Sequence, residues 1–375
     1  MVSGAFWRDR RVLVTGHTGF KGSWLCAWLA RLGAEVTGAG LAPEGKPSLF
    51  EAAGLAGRMR DHRLDVRDLD GVRRILAESW PEVVFHLAAQ PLVLASVREP
   101  VATFASNVMG TVNLLEAVRG APSVRAVVVV TTDKCYRDHD GALPCAEDAP
   151  LGGADPYSAS KACAELVAAA YRATFLAEAR VGVATARAGN VIGGGDMAPD
   201  RLVPDLVRAA LGESGTRAVL RYPHAVRPWQ HVLDALAGYL LLAERLADGP
   251  AKYAGGWNFG PDEAAVDWTV GRVAGELLQA LGGSAAVLHA VEAPRHEVAV
   301  LRLSAARARE RLGWRPLLPL PEAIAWTAEG YGRLLRHSGG SAGGDARWLD
   351  EQIGRYETRR IATTPAVMEA ARAVA

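Results

Sequence analysis

Two short stretches put acid–base groups at spacings that chemistry can use. In VVVVTTDKCY, residues 127–136, a run fit for burial delivers Thr131, Thr132, Asp133 and Lys134 in one step. A carboxylate and an amine held side by side shift each other's titration and can act as paired acid and base. In DPYSASK, residues 155–161, Tyr157 and Lys161 stand four apart. On a helix that spacing puts both on one face, and Asp155 and Pro156 suit the cap and first turn of such a helix. An ammonium beside a phenol stabilises the phenolate, drawing a group of ordinary pKa about 10 towards service as a general base.

A third stretch, TGHTGFKG, spaces Gly16, Gly19 and Gly22 by three. Glycines between a strand and a helix let the backbone approach a pyrophosphate, which the free N–H groups of the helix N-terminus attract. The second strand ends in Gly38 to Ala42, with Glu44 the nearest carboxylate, so this feature leaves both NAD and NADP open. Asp65, followed by Val66, is better placed for the adenine, at the end of a third strand.

These stretches must be carried by regular elements. RRVLVTG is a strand, and FKGSWLCAWLARLG repeats its apolar residues at helical spacing until Gly33. Further strands are expected at EVTGAG, before DVRD at 65–68, at VVFHLAAQ (83–90), at the valine run and at VGVATARAGNVIG (181–193). Helices are expected over GVRRILAESW, over VATFASNVMGTVNLLEAVRG and from Pro156 to about Ala177. Buried Val-rich strands alternating with amphipathic helices predict an α/β fold: a Rossmann-type, doubly wound parallel sheet covered on both faces. After Asn190 the segments become irregular. The expected division is a dinucleotide-binding domain over 1–190 plus about 231–253, and a smaller C-terminal α/β substrate domain over 191–230 and 254–337. Residues 338–375 are expected to be a linker and an appended tail.

Composition narrows the classes. The chain of 375 residues is half hydrophobic and carries a formal net charge of +1. That balance calls for neither nucleic acid nor an anionic membrane. No leader and no apolar run of membrane length is seen, and four cysteines without a CxxC pair suit a reduced, cytoplasmic protein. No metal site is expected.

Together TGHTGFKG, HLAAQ (86–90), NVMGT (107–111), TTDKCY, DPYSASK, RAGNVIGGGD (187–196), RPWQHVLD (227–234) and WNFGP (257–261) resemble the extended short-chain dehydrogenase/reductases. Within them, residues 11–335 resemble the sugar-nucleotide 4,6-dehydratases that act on CDP-glucose. Dehydratases for dTDP-glucose carry Thr-Asp-Glu where this chain has Thr132, Asp133 and Lys134, and the epimerases lack an Asp-Lys pair.

The resemblance implies internal dehydration of CDP-D-glucose to CDP-4-keto-6-deoxy-D-glucose, with hydride leaving carbon 4 for NAD and returning to carbon 6. Tyr157, with Lys161 lowering its pKa, would take the proton of the 4-hydroxyl, which Thr132 would also bond. Asp133, protonated, would assist the departing 6-hydroxyl, and Lys134 would be the base at carbon 5. NAD would be held by Gly16, Thr18, Gly19, Phe20, Gly22, Asp65, Val66, Leu87, Ala88, Ala89 and Thr131, with Tyr157 and Lys161. The substrate would meet Gln90, Asn190, Arg201, Arg221 and Arg227, the arginines answering its diphosphate. His231 and His296 are read as structural. A homodimer or dimer of dimers is expected, through a four-helix bundle formed by the helices near 100–119 and 156–177. The competing readings are a 4,6-dehydratase or 4-epimerase for another nucleotide sugar, and a dinucleotide-binding protein without catalysis.

Overall fold

The computed structural model describes residues 2–137, 143–211, 218–262, 268–283, 287–289, 298–337 and 347–373. The linker expected from residue 338 to 346, and His296, lie outside them. The strands are β1 Arg11–Thr15, β2 Glu35–Gly40, β3 Arg60–Arg63, β4 Val83–His86, β5 Ala126–Val130, β6 Gly182–Ala188, β7 Asn190–Ile192, β8 Ala218–Leu220, β9 Trp229–His231, β10 Gly255–Phe259 and β11 Val287–His289. Seven of them form one parallel sheet in the order β10-β6-β5-β4-β1-β2-β3, while β7 pairs with β9 and β8 with β11.

A parallel sheet wound on both faces needs strands that are apolar on both sides. In β5 every residue is buried, with Val128 and Val130 in one core and Val127 and Val129 in the other. The longer helices are α1 Phe20–Arg31, α2 Leu69–Ser79, α3 Gly110–Arg119, α4 Pro156–Tyr171, α5 Leu202–Leu211, α6 Val232–Asp248, α7 Val270–Ala280, α8 Leu320–His337 and α9 Arg347–Ala373. The second core is filled from α2, α3 and α4, and the first from α1 and α6. As expected, α6 returns to the large sheet, against β5, β6 and α1.

The structure departs from the sequence reading in three places. The strand expected over 181–193 breaks at Gly189, where a Cβ would stand 2.5 Å from Pro228 and the chain crosses from the large sheet to the β7–β9 pair. The WNF strand, assigned to the smaller unit, is the edge strand β10 of the large sheet. The tail is a docked helix. Trp348, Leu349, Ile353 and Tyr356 recur at helical spacing and are all buried. Trp348 meets Trp24 edge-on at 5.4 Å, Trp28 Nε1 donates to Glu357 at 2.9 Å, and the Tyr356 hydroxyl donates to Asp234 at 2.7 Å. Among the described residues no helix is long and apolar enough to cross a membrane.

Candidate active site

The carboxyl ends of β1, β4, β5 and β6 converge where ligands bind in open α/β sheets. Gly16, at φ +71°, follows β1, and a Cβ there would stand 2.6 Å from the Ala88 nitrogen. At Gly22 it would stand 2.2 Å from the Gly16 carbonyl oxygen. These two glycines hold the turn against the segment after β4, where the Leu87 and Ala88 amides donate to the Thr15 carbonyl and hydroxyl. Gly19 caps α1, and a Cβ on it would meet only the Gly16 oxygen, at 3.4 Å. The first-turn amides of α1 are thus approachable from the side where the backbone has no side chain, a cradle that fits a dinucleotide's pyrophosphate. Thr18 donates to the Leu41 carbonyl, tying the turn to the end of β2.

Asp65 and Val66 follow β3. The Val66 and Arg67 carbonyls accept from Asn113, and Arg67 grips the Asp65 carboxylate and holds it below its ordinary pKa.

Beyond β5 the chain makes a short turn, Asp133–Cys135, capped by Thr132, whose side chain accepts from the Lys134 amide. Thr132 Oγ1 donates to Asp133 Oδ1 at 3.0 Å, and Asp133 Oδ2 has no partner among the described residues. Burial raises the Asp133 pKa, although Lys134, Thr132, Arg227 and Lys21 all pull the other way. The proton is therefore held to a higher pH than on an ordinary carboxyl. Lys134 is half-buried beside it.

Tyr157 and Lys161 lie on one face of α4, whose Asp155 caps the Ser158 amide. The expectation that Lys161 lowers the Tyr157 pKa is corrected here. Lys161 Nζ donates to the Val130 carbonyl at 3.0 Å, and burial pushes the phenol up to about 12. Thr132 and the charge of Arg201 oppose that rise. Lys161 itself is brought down to about 8 by burial.

The substrate residues named from sequence fall into two groups. Arg227 is buried, donates to the Val226 carbonyl, and lines a cavity of about 480 Å³ with Trp229, Trp268, Arg272, Arg302 and Leu318. Asn190 begins β7 beside Pro228. Three others differ from expectation. Arg201 pairs with Asp196 at 2.7 Å and turns its charge on Tyr157 rather than lining that cavity. Arg221 is exposed and donates to the Asp200 carbonyl. Gln90 spends its amide locally, donating to the Leu92 carbonyl and Thr103 and accepting from the Leu92 amide. His231, read from sequence as structural, is buried and neutral; Nδ1 accepts from the Leu233 amide, and Nε2 has no partner among the described residues.

Residues that sequence reasoning missed complete the site. Lys21, in the first turn of α1, is half-buried, with a pKa brought down to about 8 by desolvation and the charges of Arg201, Lys161, Asp133 and Asp196 around it. It stands 5.9 Å over the ring of Tyr239, whose hydroxyl is buried without a partner among the described residues. Its signal was an ammonium inside the glycine motif. Glu165, buried one turn beyond Lys161, accepts from Arg187 of β6. Its signal was the same spacing of four repeated after Tyr157 and Lys161.

A model of the NAD dependent epimerase/dehydratase family matches residues 12–256. A CDP-glucose 4,6-dehydratase of Salmonella typhimurium is 47% identical over 330 residues, 86% of this chain and 91% of that one. Among solved structures, the UDP-glucose 4-epimerase of Thermus thermophilus in complex with NAD is similar at TM-score 0.74 and 28% identity. That match covers 86% of this chain and 99% of that one. A dTDP-glucose 4,6-dehydratase double mutant of Streptomyces venezuelae, with NAD and DAU bound, is similar at TM-score 0.73 and 28% identity, covering 86% and 97%.

Proposed function

The chain belongs to the NAD dependent epimerase/dehydratase family, and we propose that it is a lyase that converts CDP-D-glucose to CDP-4-keto-6-deoxy-D-glucose and water, in deoxysugar biosynthesis. The observation that carries this is Asp133, a buried carboxyl with a raised pKa in the turn beside Thr132. Expelling hydroxide from carbon 6 needs an acid at that place, and a 4-epimerase, which breaks no carbon–oxygen bond, does not.

The glycine turn with Thr18 and Phe20 would hold the NAD pyrophosphate, Asp65 and Val66 the adenosine end, and Leu87 to Ala89, Thr131, Tyr157 and Lys161 the rest. When bound, NAD supplies the hydride acceptor for carbon 4 and the donor for carbon 6. Tyr157 takes the 4-hydroxyl proton, and Thr132 orients that oxygen. The ketone at carbon 4 acidifies carbon 5, from which Lys134 removes the proton. The electron pair of that C–H bond forms the C5–C6 double bond as the C6–O bond breaks, and Asp133 gives its proton to the leaving hydroxyl; when carbon 6 is reduced, Lys134 returns its proton to carbon 5, and the proton taken up by Tyr157 balances the one Asp133 has given. The smaller unit takes the nucleotide, with Arg227 and the neighbouring cavity answering the diphosphate.

We also propose a homodimer. Val101, Phe104 and Met109 are exposed apolar side chains on one of the expected bundle helices, and Leu166 and Phe175 on the other. The absence of disulfides among the described residues suits the reducing cytoplasm. The test is incubation with CDP-, UDP-, dTDP- and GDP-glucose, followed by mass spectrometry for loss of one water. Loss from the CDP sugar alone is expected. Interconversion of glucose and galactose forms without loss of water would replace this reading with the epimerase.

A further inference from the structure

The turn that carries Thr132, Asp133 and Lys134 is fastened at both ends to one buried ion pair. Before the turn, Thr131 Oγ1 donates to Glu165 Oε1 at 2.5 Å. After it, the Tyr136 hydroxyl accepts from Arg187 Nη1 at 2.8 Å and donates to Asn258 at 2.6 Å. Glu165 and Arg187 close the ring through a two-point fork, Nε to Oε1 at 2.9 Å and Nη2 to Oε2 at 2.8 Å, with side-chain exposures of only 4% and 5%. Thr185, two residues before Arg187 on the same face of β6, donates to the remaining side of the carboxylate.

The same pair sets helix against strand. Lys161 and Glu165 are successive turns of one α4 face, and they grip successive residues of the chain leaving β5, the Val130 carbonyl and the Thr131 hydroxyl. Tyr157 is one turn further up that face. A slip of α4 along β5 would therefore break both bonds together. A buried ion pair stabilises a fold little more than an apolar pair of the same volume, so stability alone does not account for this one.

We propose that Glu165, clamped by Arg187, is a positioning residue that holds the Tyr157–Lys161 face of α4 in register with the Thr132–Asp133–Lys134 turn. The assignment of those five residues to catalysis is the reading given above, on which this inference rests. Glu165 also bears on the charge of Lys161, since it and Cys135 are the groups that raise the Lys161 pKa against burial. Around Glu165 itself stand Arg187, Arg172 and Cys135, and the Lys161 charge reaches Lys21 and His86.

The test uses the NAD-loaded full chain in three forms: wild type, Glu165→Gln, and the paired Glu165→Leu/Arg187→Met, which leaves no unpaired charge if the single variant folds poorly. Two readouts are taken on folded protein, the kinetics with CDP-glucose and the Lys161 pKa by NMR of labelled lysine. We expect kcat to fall about 100-fold in both variants, the scale of a misplacement of about 1 Å, with KM little changed; the thermal midpoint should drop in Glu165→Gln, which leaves the buried Arg187 without its carboxylate, and stay near the wild-type value in the paired variant. In Glu165→Gln the Lys161 pKa should fall by about one unit or more. Wild-type kcat together with an unmoved Lys161 pKa in either folded variant overturns the inference. A wild-type protein that releases no water from CDP-glucose sinks the dehydratase reading instead, and a shifted Lys161 pKa would then still support the role of Glu165.

Discussion

Around the end of β5 two carboxylates stand in bonded pairs, Glu165 with Arg187 and Asp196 with Arg201, Lys161 bonds a carbonyl, and among the described residues Asp133 has one oxygen without a partner. The cavity beside Arg227 is built differently, with Arg272 stacked on Trp268 at 3.7 Å, Arg302, Arg309 and Arg315 around it, and a single carboxylate, Asp262. Proton transfer needs groups whose places are set beforehand, so charge is neutralised in pairs and one acid is left poised. Binding a diphosphate, the role proposed for this cavity, calls for several cations gathered beside an apolar floor. One half of the site should therefore govern kcat and the other KM.

The largest effect expected is that of Tyr157→Phe, which removes the base. Steady-state kinetics should give a kcat lower by about 10²–10⁴-fold with KM unchanged, and a change confined to KM would erase the division between the two halves. Next comes Asp133→Asn. Because burial raises the Asp133 pKa, the acid stays protonated above the range of an ordinary carboxyl. In the wild type kcat should decline as pH rises through that pKa, while ionisation of Tyr157 pulls the other way at higher pH. In Asp133→Asn the rate should be about 10²-fold lower and the declining limb absent from the pH profile.

Arg227→Met addresses the other half. KM for CDP-glucose should rise about 10–100-fold, the worth of one charged hydrogen bond, with a smaller change in kcat. Isothermal titration with CDP would report the same loss. Gln90→Ala sharpens the correction made above: it should cost stability, by about 1–3 kcal/mol for unsatisfied buried partners, and leave KM alone. The smallest effect is expected of Tyr356→Phe, where loss of the bond to Asp234 lowers stability by about 1 kcal/mol in a denaturant melt, without altering kcat.

Much of the fold was legible because its signals are local. The valine run, the glycine spacing and the Tyr157–Lys161 interval depend only on strand burial, turn geometry and helical period. The break at Gly189 was not legible, since its cause is Pro228, far along the chain. Nor was the docking of α9, whose inward stripe of Trp348, Leu349, Ile353 and Tyr356 is diluted by charged residues on its other faces. Arg201, Arg221 and Gln90 are each bonded within the chain, which their residue types alone did not reveal. A side chain's type states what it can bond, and only its neighbours decide whether that capacity is already spent.

By itself, then, the sequence determined which groups exist and which lie on a common face: Thr132, Asp133 and Lys134 at a strand end, Tyr157 and Lys161 on a helix, three glycines at a turn. Their ionisation was decided by tertiary structure, because burial and neighbouring charge, neither of them local, set the balance between charged and neutral forms. That is why the Asp133 pKa is raised and why Tyr157 stands at about 12 instead of near neutrality.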